Sequence, residues 1–223
     1  MRVRILRQES PTAEPYWESF EYDGPSGASV SAMLDHLNYH DDIVNDAGEK
    51  TRRITWECSC LQGVCGACAM VINGTPALAC DTFLRDLEEN EVVLRPLGKF
   101  PVIRDLAVDR TSIHRNLQRG NVSIGTYQPI VSESFSHQYD AAKCLKCGLC
   151  LEICPNYTNG ENFFGAVFAN DCYLVYARNR ELSREIKGTY AGHFGNACSK
   201  SLACMDVCPM SIPTIASMAK LNR

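Results

Sequence analysis

The sequence predicts an α+β protein of two domains, and three observations carry the prediction. The first hundred residues show strand-like alternation around a single helical stretch, and the remainder is dominated by helical patterns. The 13 cysteines fall in clumps at 58–80, 144–154 and 198–208, with Cys172 alone. At 223 residues there is room for two separate cores. The composition shift places the boundary near residue 105, dividing 1–105 from 106–223.

The N-terminal elements follow in order. "RVRILRQ" alternates, "YWESFEY" is aromatic-rich, and "TRRITWEC" (Thr51 to Cys58) reads as a strand running into the first cysteines. Between them, "SVSAMLDHLNYHDD" places Val30, Met33, Leu34 and Leu37 on one helix face, with Ser29 as N-cap. "MVINGTPALAC" holds Asn73-Gly74, the preferred pair for a type I′ hairpin turn, and "EVVLRPL" supplies another strand. After a linker, "FPVIRDLAVDR", come the irregular "YQPIVSESFS", the long apolar helix "NFFGAVFANDCYLVYARNR" and the closing amphipathic "PTIASMAKLNR".

Charge and hydropathy exclude several functions. A net charge of −4 offers no basic excess to neutralise phosphates, which argues against nucleic acid as a partner. No apolar run approaches the ~20 residues of a membrane-spanning helix. The start "MRVRILRQES" has charge but no apolar segment behind it, so no signal peptide is expected. Clumped cysteines in a chain without an export signal point to metal rather than disulfides.

Cys60-x4-Cys65-x2-Cys68, followed by Cys80, is the plant-type [2Fe–2S] ligand spacing. Gly63 and Gly66 let the intervening loop turn its amides toward the sulfurs. Zinc is the competing reading, but structural zinc sites favour two separated C-x2-C knuckles. Cys58 lies outside the frame and reads as a small buried hydrophobe.

"CLKCGLCLEICP" is the full bacterial ferredoxin run, in which the fourth cysteine serves the other cluster. Applied to both runs, that crossover gives Cys144, Cys147, Cys150 and Cys208 to a [4Fe–4S] site. Cys154, Cys198 and Cys204 remain for another site, because Ser201 stands where its fourth cysteine belongs. Three thiolates suit [3Fe–4S], whose potential is generally higher; a Ser201 alkoxide holding a fourth iron is the rival reading. Cys172, inside the apolar helix, reads as core. Three clusters in one chain form an electron wire, and no G-x-G-x-x-G follows a strand to bind a flavin or nucleotide.

The order of the ligand sets, "FPVIRDLAVDR" and the ending "CPMSIPTIASMAKLNR" resemble the iron–sulfur subunit of succinate dehydrogenase and fumarate reductase. The resemblance implies an N-terminal β-grasp, plant-type ferredoxin domain and a helical, bacterial-ferredoxin-like domain. It implies a flavoprotein partner with covalently bound FAD, and a membrane anchor, often haem-bearing (a di-haem cytochrome b in some members), that binds quinone near the [3Fe–4S] cluster. The chain would then sit peripherally at the cytoplasmic face of the cell membrane, carrying electrons without binding the dicarboxylate. Ubiquinone-reducing members carry a tryptophan after the first Cys-Pro and a histidine after the first cysteine of the second run. This sequence has "CPNYTNG" and Ser199 there, more similar to menaquinone-type members. Quinone-proximal candidates are Pro155, Asn156, Ser199 and Ser201, residue types that also serve as ordinary turn and cap residues. The alternative from another class is a subunit of a soluble flavoprotein reductase, such as a thiol-linked fumarate reductase, with no membrane partner. His36 and His40 share a helix face without a third ligand, and His114, His137 and His193 are assigned no role.

Overall fold

The structure, a computed structural model of the chain, describes residues 1–39, 42–87, 91–122, 135–179 and 181–223. His40 and most of "YQPIVSESFS" lie outside the described residues. The chain divides into two compact units, Met1–Asp109 and Arg110–Arg223.

The first unit is built on a five-stranded sheet. Its strands are β1 (Arg2–Arg7), β2 (Tyr16–Glu21), β5 (Ala69–Ile72), β6 (Thr75–Leu78) and β7 (Glu91–Arg95), in the order β2-β1-β7-β5-β6. β1 runs antiparallel to β2 and parallel to β7, and β5 is antiparallel to both β6 and β7. Alternation drives Val3 and Ile5 of β1 and Val92 and Leu94 of β7 inward, all fully buried. They meet α1 (Val30–Leu37), which buries Val30, Met33 and Leu34 and is capped by Ser29, whose Oγ accepts from the Ala32 N–H at 3.2 Å. The β5–β6 turn places Asn73 at φ 44° and Gly74 at φ 83°, the backbone that Asn-Gly was expected to supply.

Two expectations are corrected. "TRRITWEC" is a strand only at its start: β4 (Lys50–Thr51) pairs with β3 (Ile43–Val44), and residues 52–58 join no sheet. Side chains take the place of a ladder there. Asn38 bonds both the N–H and the carbonyl of Ile54, Arg7 Nη2 donates to the carbonyls of Arg52 and Arg53, and Asp105 accepts from the Thr55 N–H. The supposed linker "FPVIRDLAVDR" is likewise a small hairpin, β8 (Val102–Arg104) and β9 (Ala107–Val108), with Leu106, Ala107 and Val108 buried.

Asp105, at the tip of that hairpin, is the hub of a buried charge network. Its carboxylate accepts from Arg52 Nη1 at 2.7 Å and Nη2 at 2.8 Å, from Arg7 Nη2 at 3.3 Å and from the Gln8 N–H at 3.1 Å. Arg7 occupies an inward position of β1, its side chain 0% exposed, and also meets Glu18 at 2.6 Å. Burial raises the Asp105 pKa, but the bonds from Arg52, Arg7 and the Thr55 amide outweigh it and hold the carboxyl below its usual value.

The second unit is helical in its described residues. α5 (Gly165–Arg178) is central, packed by α2 (Thr111–Arg119), α3 (Phe135–Ala142), α4 (Leu149–Glu152), α6 (Ser183–Tyr190) and α8 (Thr214–Leu221). Ala166, Val167, Phe168, Ala169, Cys172, Tyr173 and Val175 are all buried, as a helix apolar on most sides requires. α7 (Ala203–Asp206) carries Cys204, and α4 carries Cys150. Among the described residues no helix is long and apolar enough to cross a membrane.

Candidate metal centres

The first site lies on the loop between residue 58 and β5 and on the turn after β6. Cys68 and Cys80 bring their sulfurs to 3.4 Å. Backbone amides are aimed at the thiols: Gln62 N–H at Cys60 Sγ (3.3 Å), Ala67 N–H at Cys65 Sγ (3.5 Å) and Gly63 N–H at Cys80 Sγ (3.2 Å). Gly63 reaches across to the sequence-distant cysteine at φ 73°, a backbone that side-chain-bearing residues resist. The Gln62 amide, followed by the Cys65 thiol and the Val64 amide, lowers the Cys60 pKa to about 7, whereas burial pushes Cys68 up to about 12. Cys58 is exposed.

In the second unit the thiols line two openings. The first, about 410 Å³ of atom-free space partly open to solvent, is lined by Cys144, Cys147, Cys150, Cys204 and Cys208, with Pro209, Ile212, Asn170 and Thr214. The second, about 360 Å³, is lined by Cys154, Cys198 and Cys204, with Asn156, Ser199 and Ser201. Cys204 and Ala166 border both, so the two openings are neighbours. Burial raises the thiol pKa values, Cys147 and Cys204 to about 11 each and Cys150 well upward, so these thiols become ligands only when a metal displaces the proton. Ile212 N–H points at Cys208 Sγ (3.5 Å) and Lys200 N–H at Cys198 Sγ (3.4 Å).

Of the quinone-proximal candidates, Asn156 and Ser199 bind one another: Ser199 Oγ donates to Asn156 Oδ1 at 2.6 Å, and Asn156 Nδ2 donates to the Ala197 carbonyl at 2.9 Å. They tie the first Cys-Pro turn to the second cysteine run. Pro155 is exposed beside Cys154. Ser201 is exposed between Lys200 (φ 59°) and Leu202 (φ 61°), both left-handed. His36 lies 2.9 Å from Asp23 as a surface pair. Cys172 is fully buried among α5 neighbours.

Among the described residues no three or more His, Cys, Asp or Glu side chains are gathered as a site for one metal ion. The donor set fits iron–sulfur groups instead. Thiols gather at each site, and amide N–H groups point at their sulfurs as those of a ligating loop do. The sequence analysis did not single out Asn170 and Thr214 of the first opening, since neither belongs to a cysteine frame.

A sheet domain with one cysteine frame and a helical domain with two define an iron–sulfur electron carrier. The comparisons agree. Residues 2–115 match a 2Fe-2S iron-sulfur cluster binding domain family, and residues 140–212 match a 4Fe-4S dicluster domain family. The chain is 33% identical to the succinate dehydrogenase iron–sulfur subunit of Bacillus subtilis, over 100% of this chain and 91% of that one. It is 26% identical to the fumarate reductase iron–sulfur subunit of Wolinella succinogenes, over 100% and 96%. A chain in the Mycobacterium smegmatis Sdh1 complex shares the fold, with a TM-score of 0.76 at 22% identity, covering 99% of this chain and 94% of that one. The chain belongs to the family of succinate dehydrogenase and fumarate reductase iron–sulfur subunits, components of an oxidoreductase.

Proposed function

We propose that this chain carries electrons between an FAD-containing flavoprotein subunit, where succinate and fumarate interconvert, and a quinone site at a membrane anchor. One observation carries the reading: the thiols of the two ferredoxin-type runs sort into neighbouring openings, and Ser201 borders the one that has three cysteines. In this assignment Cys60, Cys65, Cys68 and Cys80 hold [2Fe–2S], Cys144, Cys147, Cys150 and Cys208 hold [4Fe–4S], and Cys154, Cys198 and Cys204 hold [3Fe–4S]. Cys204 also borders the first opening; its place in the second run and its nearness to Cys154 and Cys198 support the assignment. The parallel β1–β7 pair with a helix across the sheet supports a β-grasp for the first domain, and the helical unit supports the bacterial-ferredoxin-like second domain, with the boundary between 105 and 110.

When bound, the iron–sulfur groups supply one-electron carriers of graded potential. The protein's own part is to hold them dry and to set those potentials through amide bonds and burial. The exposed Ser199–Ser201 rim supports a quinone at the [3Fe–4S] end, and Ser199 and the missing tryptophan support menaquinone. The anchor then fixes the chain at the cytoplasmic face of the membrane. The test is to extract the complex with salt and with detergent, then follow cluster oxidation by fumarate after reduction by a menaquinol analogue. Release only by detergent and quinol-driven reduction are expected. Release by salt alone, with a dithiol as the effective donor, would replace this reading with the soluble thiol-linked one.

A further inference from the structure

A line of buried polar side chains on α5 and α8 ends at the first cysteine opening. Asn170 and Thr214 border that opening, each 3% exposed, and Ser217 is 0% exposed. Asn170 Nδ2 donates to Thr214 Oγ1 at 3.0 Å, and Ser217 Oγ donates to Asn170 Oδ1 at 2.8 Å. His137 Nε2, on α3, lies 3.1 Å from Ser217 Oγ.

The direction of these bonds follows from counting hydrogens. Ser217 has one hydroxyl hydrogen and spends it on the Asn170 carbonyl, so it must accept from His137, which therefore carries a hydrogen on Nε2. Thr214 Oγ1 accepts from Asn170, so its own hydrogen is not spent within the line, and Thr214 borders the opening. The donors of His137, Ser217 and Asn170 thus point the same way, from His137 toward Thr214.

We propose that Thr214, Asn170 and Ser217 form a one-directional hydrogen-bond line that raises the potential of the [4Fe–4S] cluster, and that His137 is where pH enters it. The inference rests on the assignment of that cluster to this opening. A reduced cluster is more negative and gains more from an inward-pointing hydroxyl than an oxidised one does. A charge on His137 polarises each bond in the line and strengthens the last. Reduction adds one electron to the cluster, from the flavoprotein side or from a mediator. Where His137 is part-protonated, reduction also draws a fraction of a proton from solvent onto its imidazole, and no proton travels along the line.

The groups facing His137 suit this role. Tyr173 of α5 lies against its ring at 4.4 Å between centroids. Asp140 of α3 favours its charge, and Lys220 of α8 opposes it. Arg178 of α5 is turned to Gln138, and Lys143 pairs with Asp140 at 2.8 Å. Burial holds His137 below the usual imidazole value, ahead of the pull of Asp140, so it gains its charge on the acid side of that value.

The test is an EPR-monitored redox titration of the complex purified with its native partners, repeated from about pH 5.5 to about pH 8.5, across the imidazole range. In the wild type the [4Fe–4S] midpoint should fall as pH rises through the acid end of that range and level off above it. His137→Gln, at a half-exposed position, should give a flat profile. Thr214→Val should lower the [4Fe–4S] midpoint at every pH by about tenfold in the reduction equilibrium, the size of one hydrogen bond to a charged acceptor, or about 59 mV for one electron. The [2Fe–2S] midpoint should stay in place in both variants. An unchanged slope in His137→Gln, or an unmoved midpoint in Thr214→Val, overturns the inference while leaving the cluster assignment standing. If the iron-loaded wild type shows no [4Fe–4S] signal, the assignment fails and the inference falls with it.

Discussion

Replacing Asp105 by Asn keeps the shape of the hub and removes its charge. The carboxylate is 0% exposed and answers two arginines and two backbone amides, and Arg7 beside it is also 0% exposed. After the substitution Arg7 keeps only Glu18 as a charged partner, and an amide NH₂ faces donors that it cannot accept from. Breaking a buried pair by removing one partner costs roughly 3–5 kcal/mol. For a unit of this size, at about 4 °C or more per kcal/mol, the fall in Tm is about 12 °C or more. The pH sign follows from the depressed carboxyl. Its stabilisation is complete well above the unfolded value of about 3.9 and is lost only as pH falls through the lower folded value. Thermal melts followed by circular dichroism, at matched iron content, should therefore show the same gap between variant and wild type from about pH 5.5 to about pH 8. A gap below about 1 kcal/mol, typical of an exposed pair, would refute the buried-hub account. So would a gap that closes between about pH 6 and about pH 8, where no carboxylate of this kind titrates.

Other substitutions separate the parts of the sites. Gly63→Ala forces a side chain to φ 73° beside Asp81 and should cost about 1–2 kcal/mol and loosen the amide bond to Cys80. A lower [2Fe–2S] midpoint and faster cluster loss to a chelator are the readouts. Ser201→Cys should convert the [3Fe–4S] site to [4Fe–4S], lower its potential and slow quinone chemistry; an unchanged [3Fe–4S] signal would show that the second run is misassigned. Cys172→Ala should leave iron and sulfide per chain unchanged while costing roughly 1 kcal/mol in lost packing. Iron lost from that variant would make Cys172 a ligand.

What the sequence reveals depends on how far apart the partners lie. Ligand frames are local: Cys60 to Cys68 and Cys144 to Cys154 are read from spacing, and Asn73-Gly74 and the Ser29 cap announce their own backbone. Residues 52–58 look like a strand because their composition is that of a strand, yet Asn38, Arg7 and Asp105 occupy the backbone groups that a neighbouring strand would take. One signal of that outcome is present, since strict alternation along β1 puts Arg7 on the buried face, which demands a buried anion. Which anion cannot be read, because Asp105 lies 98 residues away. The His137–Ser217–Asn170–Thr214 line is hidden for the same reason, being assembled from three helices far apart in the chain.

The most direct test of the three-cluster reading is an EPR-monitored redox titration of the native complex with iron and sulfide counted per chain. The account predicts a [3Fe–4S] signal in the oxidised sample that vanishes on mild reduction. A [2Fe–2S] signal then appears, and a single [4Fe–4S] signal at lower potential. An oxidised sample without a signal, giving two [4Fe–4S] signals on reduction, would contradict it and make Ser201 or another group the fourth ligand.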